Sequence, residues 1–321
     1  MTSVLVTIDT ELSLAAHQAG STPADNMNRS VFGRVSDGEW GVAYQSEKLA
    51  SHGLKAVFFV ESLCADVVGL DVLKRIIESI LSAGHSVELH VHTEWLPWFP
   101  RDPVDGARGR CIADFTYDHQ LRLIERAIDN IVKAGAPSPI AFRAGNYGAN
   151  NDTLRALGRL GLKYDSSYNL PYLGLPCQIS ADRPLFDACQ IEGTTEVPIS
   201  CFLDYSNHFR PAQICAISAS EMRLVIERSA AHSRKTAVIV GHGFELLNRS
   251  RTRANRFLVR RFDRLCQILA DGQLGVISSD FLDLRNISDH EKVGHNMPLS
   301  SNLTRTTSRM IQQALAALIY R

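Results

Sequence analysis

The sequence predicts an α/β protein whose parallel strands curl into a closed or nearly closed (β/α) barrel. Short apolar runs recur through 321 residues that are 45% apolar. Each run is followed by an amphipathic stretch of helical period, and several of these stretches stop at a glycine. Alternation on this scale implies parallel strands joined by right-handed crossovers.

The expected strands are Val4–Ile8, Leu54–Val60, Ser86–Val91, Ile140–Arg143, Leu162–Tyr164, Val197–Ser200, Ala237–Gly241 and Leu274–Ile277. The expected helices are Glu39–Ser51, Leu70–Ala83, Tyr117–Ala134, Asn151–Leu160, Ser220–Ser233 and Asn255–Ala270, with stop signals at Gly53, Gly84, Gly135 and Gly272. No long linker divides the chain, so residues 1–287 are expected to form one catalytic domain, with a polar linker and a C-terminal helix in 288–321. The apolar pattern of Leu303–Tyr320 leaves two options: packing back on the domain, or pairing with a second copy. Pro97–Asp114, preceded by Trp95, reads as a loop over the barrel mouth.

Thirty-four basic residues balance thirty-four acidic ones, so no global field recruits nucleic acid or an anionic membrane. No run of 18 apolar residues predicts a membrane span, and the start lacks the pattern of a secretory signal. The seven scattered cysteines are then expected to be reduced thiols in a cytoplasm.

In a barrel the strand C-termini form the active face, which is where Asp9, Glu11, His90, His92, Arg143 and His242 all fall. Asp9 and Glu11 end an apolar strand two residues apart and so face the same way. One can ligate a divalent metal while the other takes a proton from water. His90 and His92 share a face if the chain stays extended, and both imidazoles then reach one ion. Glu94 is the rival ligand if the chain turns helical after His90. Pro97 disfavours that turn, so the extended version is preferred.

Arg143 ends another strand before Ala-Gly-Asn146-Tyr147-Gly. Its planar fork can hold a carboxylate, and the turn can offer backbone N–H groups to a developing oxyanion. His242, between two glycines at the end of Ala237–Gly241, supplies a proton for a leaving nitrogen. Asp165 reads equally as the partner that orients His242 or as a turn residue. Arg249, Arg251, Arg253, Arg256, Arg260, Arg261 and Arg264 form either a solvated face or an electropositive patch suited to a phosphorylated or nucleotide-linked substrate.

Taken in order, Ile8-Asp-Thr-Glu11, the histidine strand end, Phe142-Arg-Ala-Gly-Asn-Tyr-Gly148, Tyr164-Asp-Ser-Ser167, Glu196-Val-Pro-Ile-Ser200 and Val238-Ile-Val-Gly-His242 resemble the polysaccharide deacetylases. That group shares NodB homology and is also called carbohydrate esterase family four. The resemblance runs from about Ser3 to Leu284. It implies a distorted (β/α) barrel of about seven parallel strands and a metal, usually Zn2+, used to remove acetyl groups from saccharides. It further implies Asp9 as general base, Glu11 and His90 as metal ligands and Arg143 as the arginine that steadies the base. The backbone near Asn146 and Tyr147 matches the oxyanion donor, and His242 the acid, with Asp165 as its tuner. The chain departs from the family pattern in three places. The first acids are not adjacent, Glu94 stands where the family has its second histidine so that His92 or Glu94 must replace it, and no proline precedes Tyr147.

The expected reaction is removal of an N-acetyl group from a sugar, on a nucleotide- or lipid-linked precursor of envelope polysaccharide. Trp95 and Trp98 are available to stack on the ring. The alternatives are a small-molecule amidase or deformylase on the same scaffold, and a non-catalytic glycan-binding module.

Overall fold

The apolar runs of the sequence become the strands of a single curled sheet. The structure, a computed structural model, describes residues 1–205, 208–284 and 300–320. Its strands are β1 (Thr2–Thr10), β2 (Arg34–Val35), β3 (Gly38–Glu39), β4 (Val57–Glu61), β5 (Ser86–Val91), β6 (Ala141–Ala144), β7 (Tyr164–Asp165), β8 (Cys189–Ile191), β9 (Thr194–Glu196), β10 (Cys201–Tyr205), β11 (His208–Pro211), β12 (Thr236–His242) and β13 (Val276–Ser278).

The main sheet runs β12-β1-β4-β5-β6-β7-β9-β8, with β13 beside the first half of β1. All these pairs are parallel except β8 with β9. Irregular chain spans the gap between β9 and β12: the Ser200 N–H donates to Val238 O at 3.3 Å and the Ile214 N–H to Val240 O at 2.9 Å. The result is a distorted (β/α) barrel. Helices Val42–Ser51, Leu70–Ser82, Tyr117–Lys133, Asn151–Leu160, Ala219–Ala231 and Arg256–Ala270 fall in the crossovers.

Period-two alternation divides the core. Val4, Val6, Ile8, Phe58, Val60 and Leu89 belong to a large cluster shared with the helices, whereas Leu5, Val57, Phe59, Val238, Val240 and Phe281 form a separate cluster on the opposite face of the strands. Along that second face of β1 the residues change from apolar Leu5 to polar Thr7 and Asp9, all buried. Its amino-terminal end is a packed plug, and its carboxyl end carries polar side chains.

Three expectations shift. β9 ends at Glu196, so Val197–Ser200 is not a regular strand; Pro198 has no N–H to give a ladder. The first long helix begins at Val42 rather than Glu39, because Gly38–Glu39 pairs in a hairpin and Gly41 packs directly on the chain before it. A Cβ on Gly41 would lie 2.1 Å from the Val31 carbonyl oxygen. The β10–β11 hairpin carries no strong pattern and was not expected.

The C-terminal helix, Leu303–Ile319, packs back on its own domain. Its Arg309, 1% exposed, bridges Asp204 of β10 and Glu221 of the helix Ala219–Ala231, and Thr306 Oγ1 donates to Asp204 O at 2.7 Å. Met310, Ile311, Leu315 and Leu318 remain on its exposed side. The expected polar linker falls mostly on 285–299, outside the described residues. Among the described residues no helix is long and apolar enough to cross a membrane, and Cys64, Cys111, Cys177, Cys201, Cys215 and Cys266 are free thiols.

Candidate active site

β1 and β5 deliver the first group of polar side chains. One ligand atom from each of Glu11, His90 and His92 lies within 4.8 Å of the others. Glu11 Oε2 is 2.6 Å from His92 Nε2 and 3.7 Å from His90 Nε2. Each histidine is held from behind through its other nitrogen: His90 Nδ1 lies 2.8 Å from Arg143 O, and His92 Nδ1 lies 3.1 Å from Glu94 Oε2. Carbonyl and carboxylate acceptors keep those Nδ1 protons in place and leave both Nε2 atoms aimed at Glu11.

Two imidazoles and one carboxylate, converging and backed by such acceptors, form a donor set of the kind that holds a divalent cation, zinc above all. The residues present therefore fit the metal that the resemblance implies. Glu94 is not in the converging set; it stands behind His92. His92 is extended (φ −107°, ψ 108°), and the turn begins only after it. That turn, Thr93–Trp98, includes Pro97, which a short 3₁₀ turn accommodates near its end. Burial pushes the Glu11 carboxyl up, but His92 and His90 outweigh it and hold Glu11 well below the ordinary carboxylate range.

Gly145, for which the sequence offered no role, makes this packing possible. A Cβ there would lie 2.7 Å from the His92 ring.

A second group sits beside the first. Asp9 and His242 are cross-strand partners in the β1–β12 register, and Asp9 Oδ2 lies 3.9 Å from His242 Nε2. Arg143, fully buried, donates to Asp9 Oδ1 at 2.6 Å and to Thr7 Oγ1 at 2.9 Å. Its remaining donors reach Ser166 O and Ser166 Oγ, and its Cζ sits 4.2 Å above the Phe59 ring. Burial pushes the Asp9 carboxyl up, but Arg143 and the neighbouring histidines bring it below its ordinary value.

Burial depresses His242, yet the Glu245 carboxylate, with Asp9 and Glu11, raises it to about 9. Glu245 Oε2 lies 3.4 Å from His242 Nδ1 and accepts the His242 backbone N–H at 2.7 Å, while its Oε1 accepts the Cys215 N–H at 2.7 Å. The position expected of Asp165 is thus taken by Glu245. Its only sequence signal was its place three residues after His242. Asp165 is 0% exposed, accepts from Ser167 Oγ at 2.7 Å, and does not line the cleft. Burial, then the charge of Asp165, pushes its neighbour Glu196 well above the ordinary range.

Asn146 and Tyr147 follow β6 in left-handed conformations, φ 56° and 59°, which cost a non-glycine residue about 1 kcal/mol or more. Asn146 Nδ2 donates to Glu94 Oε2 at 3.2 Å, tying this turn to the histidine side. The Tyr147 ring stacks on Tyr172 at 5.7 Å, and its hydroxyl is buried without a partner among the described residues. A cleft of about 560 Å³ brings Asp9, Glu11, His90, His92, Asn146, Tyr147 and His242 onto one surface. Tyr172 and Gln213 also line it. Tyr172 ends the short 3₁₀ turn Leu170–Tyr172 and Gln213 arrives on irregular chain, and no local pattern announced either.

No family model matches this sequence, and no curated protein does either. Solved structures do. A proposed polysaccharide deacetylase from Mycobacterium smegmatis aligns at TM-score 0.52 and 16% identity, covering 90% of this chain and 95% of that one. A family 4 carbohydrate esterase from Streptomyces lividans, solved with acetate, aligns at 0.45 and 12%, covering 94% and 98%. The peptidoglycan deacetylase PdaC of Bacillus subtilis aligns at 0.37 and 12%, covering 99% and 95%. Over nine-tenths of its length, this chain has the fold of the Mycobacterium smegmatis protein.

Proposed function

We propose that this protein is a divergent polysaccharide deacetylase: a metal-dependent hydrolase that removes an N-acetyl group from a sugar. The observation that carries this reading is the pairing of two differently tuned groups, Asp9 and His242, beside the convergent Glu11, His90 and His92. A binding module has no use for a carboxylate held ionised next to an imidazole held protonated. The catalytic unit is taken as residues 1–287, with the C-terminal helix as a brace.

Glu11, His90 and His92 would hold the cation, with Zn2+ the best match. When bound, it supplies Lewis-acid polarisation of an acyl oxygen and acidification of water. Asp9, kept as a carboxylate by Arg143, accepts the proton of the attacking water as its oxygen adds to the acetamido carbon. The backbone around Asn146 and Tyr147 faces the negative charge that then develops on the former carbonyl oxygen. His242 gives its proton to the sugar nitrogen as the C–N bond breaks, yielding acetate and the free amine. Asp165 has a supporting place, holding Ser167 near β6. Removing one such group costs about 2.7–4 kcal/mol of barrier, or 100- to 1000-fold in rate.

The test combines metal analysis of the purified protein with acetate release from a panel of N-acetyl sugars, with and without chelator. Chelator-sensitive acetate release that disappears in His242→Ala is expected. Activity confined to small amides would move the assignment to an amidase or deformylase, and a folded, zinc-loaded His242→Ala with full turnover would remove His242 from the chemistry.

A further inference from the structure

The arginine run after β12 resolves into residues with very different surroundings. Arg253 donates to Ile319 O and lies over Tyr320; Arg256 pairs with Asp37 over Trp40; Arg261 donates to the carbonyls of Ile214 and Cys215. Arg264 reaches Gln267, and Arg249 and Arg260 are exposed. Arg110, on the far rim of the cleft, is 3.5 Å from Glu94. Arg251 differs from all of these. It is half-buried, its Cζ stands 3.9 Å over the Phe244 ring, and its Nη1 donates to Ser30 Oγ at 3.3 Å. No carboxylate among the described residues pairs with it.

The placement of Arg251 is specific. Phe244 follows β12 and stands 5.3 Å from the His242 ring, centroid to centroid. Ser30 lies in the segment that follows β1 and Glu11. Arg251 therefore spans the loops that leave both proton-handling strands, with the Phe244 ring between it and His242. Burial lowers its pKa somewhat, and the carboxylate whose charge reaches it is Glu11. Its backbone is left-handed, φ 52°, in a loop fastened by Asn248, whose Oδ1 accepts the N–H groups of Thr252 at 2.8 Å and Arg253 at 3.1 Å. A strained backbone and a desolvated cation held together, with no carboxylate of the described residues in contact with it, leave the outer edge of the guanidinium fork for an anion.

We infer that Arg251 forms an oxyanion subsite, so that the substrate sugar carries a phosphate or carboxylate substituent near the acetamido group. The inference uses the deacetylase reading only to choose the sugar. In equilibrium binding to the full chain, N-acetylglucosamine 1-phosphate and N-acetylmuramic acid probe phosphate and carboxylate, and N-acetylglucosamine is the neutral reference. At least one anionic sugar should bind on the order of tenfold more tightly than the neutral one, the value of one charge-assisted hydrogen bond. The ratio should fall to about one in Arg251→Gln, persist in Arg249→Gln, and largely survive in Arg251→Lys, which keeps the charge. A wild-type ratio near one, a ratio unchanged by Arg251→Gln, or an equal loss in Arg249→Gln overturns the subsite. Binding needs no turnover, so a persistent preference without acetate release would refute the deacetylase reading alone. Acetate release with no charge preference would refute the subsite alone.

Discussion

Glu245→Gln isolates what sets the proton affinity of His242. In the native protein His242 titrates at about 9 against an ordinary 6.5. Burial opposes that rise, and the Glu245 carboxylate at Nδ1 is the largest force behind it. The sign follows directly: a raised folded pKa keeps the ring protonated, and able to donate, until pH climbs through the folded value. The alkaline limb of turnover should therefore fall near or below 9 in the native protein. A cation on Glu11 cancels that carboxylate's share but not the share from Glu245. If the amide returned His242 fully to 6.5, the protonated fraction at pH 8 would drop about thirtyfold and at pH 6 by less than about twofold. Thirtyfold sets the scale, because Asp9 continues to attract the proton while burial continues to oppose it. The assay is a pH profile of kcat for both proteins. A Glu245→Gln limb that coincides with the native one, or a uniform loss at every pH, would refute the assignment of Glu245 as the group that tunes the donor.

Gly145→Ala should force His92 away from Glu11, since the added Cβ meets the ring at 2.7 Å; zinc affinity should fall roughly 10- to 100-fold, read by competition with a chromophoric chelator. Asp9→Ala leaves Arg143 as an uncompensated buried charge and should cost about 3–5 kcal/mol in urea unfolding. Asp9→Asn keeps an acceptor for Arg143, so it should recover much of that stability while turnover stays lost. Because the Asp9 pKa is lowered in the fold, its contribution to stability is present above 3.8 and disappears as pH falls through the lower folded value; the acid-unfolding midpoint of Asp9→Asn should shift little below it. Arg309→Ala strands buried Glu221 without its cation and leaves Asp204 with Arg210; it should likewise cost about 3–5 kcal/mol. Calorimetry would show it, with the cleft's metal affinity unchanged.

What the sequence revealed depended on how local each signal was. β1 and β5 were legible because apolar runs end in acids or histidines two apart, a spacing that acts through backbone geometry alone. The preference for His92 over Glu94 rested on the extended chain before Pro97, and the structure holds His92 extended beside Glu11. Glu245 stood in plain view three residues after His242 but received no role, since nothing in a one-dimensional pattern says that the chain turns back there. Gln213 and Tyr172 could not be read at all: one reaches the cleft on irregular chain and the other at the end of a single 3₁₀ turn, and the course of both is set by long-range packing. Gly145 looked like turn punctuation, and only the His92 ring beside it shows that the missing side chain makes room.

The separation between Asp9 and His242 explains why each has its own support. At 3.9 Å the contact is too long for a hydrogen bond, so neither group uses up the other's proton or lone pair. Each is instead gripped on its far side, Asp9 through Oδ1 by Arg143 and His242 through Nδ1 by Glu245. That leaves Oδ2 and Nε2 facing each other across the space where a scissile amide would enter. A direct, short ion pair would be more stable but inert, because substrate would have to break it. The two outer contacts preserve opposite charges at close range without letting them collapse together. Loss of either anchor should consequently change the pH dependence of turnover before it changes affinity for the sugar.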